Sequence, residues 1–150
     1  VGDLAGPMAF AALMGTARLI YGKWGHKLHL EKCMLGSSLL CVAAYLAIAL
    51  VPDPRLALVG CAVCGFSVGI LWPGTFSKGA AAIPKGGTVM FALFALAGDL
   101  GCSAGPTLAG MVARVCDGNM RRGILAGIVF PLLLVLCLVF GKKRKAAAGI

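Results

Sequence analysis

Asp99 is the residue whose setting most clearly calls for a chemical role. It stands near the middle of F-A-L-F-A-L-A-G-D-L-G-C-S-A-G-P-T-L-A-G, a run with no other charge. If that run crosses a bilayer, an ionised aspartate at its centre costs about 2.5–3.5 kcal/mol, so the side chain must face protein or water. The neutral acid is cheaper to hold there, and a group that alternates between the two forms is what a proton or cation pathway uses. The competing reading is a packing acid satisfied by backbone or by a small neighbour such as Ser103. No basic residue within the apolar runs is an obvious partner, and both readings stay open on sequence grounds.

A second set of residues sits in C-A-V-C-G-F-S-V-G-I-L-W-P-G-T-F-S. Helical spacing places Cys61, Gly65, Gly69, Trp72 and Phe76 along one face. Gly65 and Gly69 let another backbone approach closely, while Pro73 removes a backbone donor and invites a bend. The face is either a packing seam with a kink or, at Trp72 and Phe76, the lining of a cavity whose rings stack on a solute. Gly101, Gly105, Pro106 and Gly110 repeat the combination of close approach and proline bend further along. Such residues are common in membrane helices, so the pattern alone is weak.

Other constellations lead nowhere catalytic. His26 and His29 form H-x-x-H without the carboxylate of a metalloprotease and read as interfacial residues. Cys61 and Cys64 form C-x-x-C inside an apolar run, where thiols act as small hydrophobes, and an odd total of seven cysteines argues against a disulfide framework. No phosphate-binding glycine loop or Ser/His/Asp set is present. The expectation is a protein that is not an enzyme and takes no metal or cofactor.

The elements that must position these residues follow from hydropathy. Of 150 residues, 60% are hydrophobic and 13% charged, whereas a soluble domain is roughly half apolar and a quarter charged. Mean hydropathy is +0.96, and stretches such as 124–140 carry no charge. Charge and turn residues divide the chain into five expected spans at 4–22, 33–51, 56–77, 88–113 and 123–140, followed by a basic tail at 141–150, all in one membrane domain. The fourth is long enough to tilt or protrude. The fold class expected is therefore all-α, a polytopic transmembrane bundle with the lipid bilayer as its first partner.

Loop charge sets an orientation. Lys23, Lys27, Lys32, Lys78, Lys85 and the K-K-R-K tail fall on one face, with Arg18 just inside it. The opposite face holds Arg55, Arg114, Arg121 and Arg122. The lysine-rich face, tail included, is expected in the cytoplasm and the start of the chain outside. The net charge of +9 then reads as topology and contact with anionic lipid, with no nucleic-acid partner. The chain opens on Val1 within a few residues of an apolar run and shows no signal peptide; a start without Met leads to the expectation of a fragment.

The stretch G-T-A-R-L-I-Y-G-K-W-G-H-K, Gly15 to Lys27, resembles the loop signature of the major facilitator superfamily at Gly22, Lys23, Gly25 and Lys27. G-x-x-x-G-P-x-x-x-G, Gly101 to Gly110, resembles a second motif of the same superfamily. The string through Trp72, P-K-G-G-T and A-L-A-G-D-L-G is also similar to bacterial carriers related to sugar permeases. The first signature lacks the aspartate of its strongest version, which favours helices eight to twelve over two to six. The resemblance implies a twelve-helix fold in two halves, a substrate held between them and alternating access, with Arg18 and Lys23 as gate or topology residues. The expected function is part of a secondary transporter in the cytoplasmic membrane, moving a small solute such as a sugar or related metabolite and coupled to protons, its partners being that substrate and the amino-terminal part of the carrier. The alternative is a small non-transporting membrane subunit or scaffold that binds a partner through its glycine faces.

Overall fold

The computed structural model describes residues 2–25 and 29–147. Lys27 of the expected loop signature, with His26, lies outside them. The described chain is helical throughout: α1 (Gly2–Trp24), α2 (Leu30–Leu50), α3 (Pro54–Ala82), α4 (Gly87–Val115), α5 (Met120–Gly127) and α6 (Val129–Ala147). Five stretches among the described residues are long and apolar enough to cross a membrane: Leu4–Trp24, Leu30–Leu50, Pro54–Ala82, Gly87–Val115 and Met120–Gly141. The chain is thus an all-α, multi-pass membrane protein. α3 and α4, at 29 residues each, reach past a hydrocarbon core that about 20 residues suffice to span.

The connections are short and chemically marked. Asp53 caps α3 by accepting a 2.9 Å bond from the Arg55 amide, with Pro54 as the first helical residue. Between α4 and α5 the chain reverses through Asp117 (φ 56°) and Gly118 (φ 76°), and the Gly118 amide returns to the Ala113 carbonyl at 2.8 Å. Asn119 then caps α5 through the Arg121 amide at 3.1 Å.

The last span is broken between α5 and α6 at Ile128. Pro131 explains the break, because it cannot donate to the Gly127 carbonyl four residues back and its ring crowds that carbonyl. α3 and α4 run unbroken through Pro73 and Pro106.

Small residues decide which helices meet. In lipid, apolar area alone does not drive helices together, and small side chains that permit close approach take over. A methyl group at Gly65 would strike the backbone of Phe10, and one at Gly69 would lie 2.7 Å from the Met14 carbonyl oxygen, so α1 is seated on α3. On another face of α3, Gly60 receives Ile48 and Gly74 receives Met34, seating α2. Buried Cys41, Ala44 and Cys64 form the core where α1, α2 and α3 converge, flanked by Phe10 and Tyr45. Ser38 and Ser67, both at 0% exposure, return their hydroxyls to the Met34 and Cys64 carbonyls at 2.8 and 2.7 Å, so neither brings an unsatisfied donor into the core.

The pairings also give direction. Gly6 lies beside Cys61, Phe10 beside Gly65, Met14 beside Gly69 and Tyr21 beside Ser77, so α1 and α3 run parallel. Ile48 meets Gly60 and Glu31 meets Lys78 at 3.2 Å, so α2 runs antiparallel to α3. Tyr45 meets Gly127 and Pro52 accepts from Arg121 at 3.0 Å, so α5 runs antiparallel to α2. α4 packs on α5, where Gly123 sits against the Ala109 carbonyl. The helices form an arc in the order α1, α3, α2, α5/α6, α4, in which α3 and α4 approach mainly through side chains.

Candidate functional site

The arc lines an open cavity of about 820 Å³ to which all five spans contribute. This lies within the roughly 300–1,000 Å³ of small-molecule sites. α1 supplies Phe10, Met14 and Arg18, and α2 supplies Tyr45. Cys64, Val68 and Trp72 come from α3, and Gly98, Asp99, Cys102 and Pro106 are among those from α4. Ile124, Gly127 and Phe130 close the far wall. The break at Ile128 falls on that wall, so Pro131 shapes the cavity without facing it.

An aromatic cluster holds α4 to α3. The Phe76 ring lies 4.7 Å from Trp72, 5.6 Å from Phe91 in a stacked geometry and 5.6 Å from Phe94 edge-on. The Trp72 indole also lies on Gly98, where an added methyl would come within 2.7 Å of Cζ3. Trp72 therefore has one part on α4 and another on the cavity, with 41% of its surface exposed. Phe76 belongs to the cluster and not to the cavity lining.

Spacing alone put Cys61, Gly65, Gly69, Trp72 and Phe76 on one face of α3. In the structure that face is shared between two neighbours: its small half receives α1 and its aromatic half receives α4. Packing seam and cavity lining both occur, on successive turns of the same helix.

Asp99 is exposed to the cavity. The Ser103 hydroxyl donates to the Asp99 backbone carbonyl at 3.0 Å and not to its carboxylate. Among the described residues no hydrogen bond or ion pair holds that carboxylate, so the neighbour considered from sequence does not satisfy it. The residue that sequence reasoning missed is Arg18 as a companion to Asp99. Continuing the α1/α3 register places Arg18 about level with Pro73. The α3/α4 pairings, Trp72 with Gly98 and Gly79 with Phe94, place Asp99 about level with Leu71. The backbones of Arg18 and Asp99 thus stand about level with the turn that carries Trp72, and both residues line one cavity, with no ion pair joining them among the described residues.

The other residues of interest disperse. Gly101 and Gly105 line the cavity, and a methyl at either would meet nothing within 4 Å. Gly110 lines a separate outer recess of about 480 Å³ beside Arg114 and Gly118. At the basic end, Lys23 lies over the Trp24 ring at 5.3 Å, Gly22 is exposed, and Gly25 follows α1 beside the Tyr21 ring. Among the described residues no three of His, Cys, Asp and Glu gather as metal ligands.

Part of what was missed has a signal. Phe91, Phe94, Gly98, Gly101 and Gly105 recur at helical spacing and mark one face of α4, the face that meets Trp72 and the cavity. Tyr45 falls at helical spacing from Ser38 and Cys41, small residues that mark the inward face of α2. Comparison of the chain with family profiles, curated proteins and solved structures gives no match. The likeness to the facilitator superfamily accordingly rests on the motifs quoted from the sequence.

Proposed function

We propose that the chain is part of a secondary transporter that moves a small solute through the cavity by alternating access, coupled to protons, and that its helices are part of one half of a twelve-helix facilitator fold. One observation carries the reading. A cavity of small-molecule size, formed by all five spans of a membrane bundle, is lined by a carboxylate without an ion-pair partner among the described residues, a guanidinium and an indole. Ionisable side chains at such depth are expensive, and transport pathways are where membrane proteins characteristically keep them. The helices left least covered are α1 and α4. They border the open side of the arc, where the other half of the carrier would complete the substrate site. The lysine-rich end faces the cytoplasm of a bacterial-type cytoplasmic membrane in this reading.

The test is a solute-uptake screen with the full-length gene product in proteoliposomes, together with a variant that plugs the cavity. Gly105→Trp places an indole where nothing lies within 4 Å of the new Cβ, so the protein should insert and purify normally while uptake falls to background. Unchanged uptake in that variant, or no solute moved by correctly inserted wild-type protein, would sink the proposal. The scaffold reading draws on the same open α4 glycines, as a surface for another helix. It predicts that Gly105→Trp releases a co-purifying membrane partner and affects no flux.

A further inference from the structure

We propose that the solute is a small organic monoanion, held by Arg18, and that Asp99 takes up one proton with it, making transport electroneutral; this deepens the transporter reading and rests on it. The argument is one of charge. A guanidinium is a cation that arginine brings wherever it sits, and Arg18 lines the cavity without a carboxylate partner among the described residues. Its forked donors match a carboxylate or sulfonate better than a sugar hydroxyl. The other ionisable groups on the wall are Tyr45 from α2, Cys64 from α3, and Asp99 and Cys102 from α4, while α5 and α6 add none. Among the groups that this chain contributes to the wall, Arg18 and ionised Asp99 sum to zero.

An anion entering beside these two groups leaves this chain's side of the site with one net negative charge, bounded by lipid-spanning helices. A proton on an Asp99 carboxylate oxygen restores neutrality. Anion and proton therefore favour each other's binding, and by reciprocity each raises the other's affinity by the same factor. The backbones of Arg18 and Asp99 stand about level with the turn that carries Trp72, which leaves the apolar body of the anion the indole to lie against. Opening toward the cytoplasm releases both, the proton passing from Asp99 to water as the anion leaves Arg18. No bond other than O–H forms or breaks.

Full-length protein in detergent is tested for equilibrium binding of radiolabelled lactate, gluconate, glycine betaine and glucose across pH, and in proteoliposomes loaded with a pH-sensitive dye. The expected result is binding of lactate or gluconate and not of betaine or glucose, tightening by up to about tenfold per pH unit on acidification, the slope of one coupled proton. Arg18→Gln loses that binding, and Arg18→Lys, which keeps the charge, recovers part of it. Asp99→Asn binds the anion with the pH dependence gone. Flux acidifies the lumen at one proton per anion and is indifferent to membrane potential. Binding of glucose or betaine in place of the anions, binding that survives Arg18→Gln, binding of none of the probes, or pH dependence that persists in Asp99→Asn overturns the assignment. If glucose or betaine is nevertheless transported, the carrier reading stands without the anion. If the anion binds as described and no solute is moved, the anion site stands and the carrier reading falls.

Discussion

At the scale of single residues, the glycines show how differently one residue type is used along this chain. Gly65 is buried against the Phe10 backbone, whereas Gly101 has no heavy atom within 4 Å of where a methyl would go. Adding that methyl to the first forces α1 away from α3, and overpacking of this kind costs about 1–3 kcal/mol. Gly65→Ala should therefore lower the thermal midpoint of the purified protein in detergent, followed by size-exclusion fluorescence of a fusion. Gly101→Ala should leave it unchanged within about 0.5 kcal/mol, as expected of a site without close neighbours. Equal shifts in the two variants would mean that α1 and α3 are not in direct backbone contact.

At the scale of elements, α3 is the organising helix, and it holds its neighbours by two different means. α1 and α2 fit against glycines and serines; α4 is held through rings. Phe76 touches Trp72, Phe91 and Phe94 together, and each aromatic pair adds about 0.5–1.5 kcal/mol. Phe76→Ala removes all three contacts while leaving the α1/α3 seam intact. The expected outcome is a looser α4, read as faster maleimide labelling of Cys102, which faces the cavity, with labelling of buried Cys41 unchanged. Acceleration at both cysteines would instead show that the whole bundle depends on the cluster. The Lys78–Glu31 bridge at 3.2 Å joins α2 to α3 at the basic end, but neither side chain is deeply buried, and such pairs contribute about 0–1 kcal/mol.

At the scale of the whole molecule, the ends of the bundle differ in charge type, with Lys78 and Lys85 around the 83–86 turn and Arg114, Arg121 and Arg122 flanking the 116–119 turn. The positive-inside bias predicts that the first faces the cytoplasm. With the seven native cysteines replaced, Arg122→Cys should react with an impermeant maleimide in intact cells, and Lys85→Cys only after the membrane is opened. The reverse pattern would invert the topology and with it the direction in which Arg18 and Asp99 release their charges. Hydropathy by itself determined the five spans and their class, because the cost of exposing polar backbone or charge to lipid acts on each segment separately. The observed helices extend the expected 4–22 and 56–77 to Gly2–Trp24 and Pro54–Ala82, since helical hydrogen bonding continues past the last apolar residue into the interface. Tertiary structure alone decided that Arg18, which reads as a loop-edge residue, shares a cavity with Asp99, because that depends on how α1 and α4 are rotated and offset against α3. Rotation and offset are set by which glycine accepts which neighbour, a contact between distant segments: the small residues Ser37, Ser38, Cys41 and Ala44 mark the inward face of α2, but not which helix that face meets.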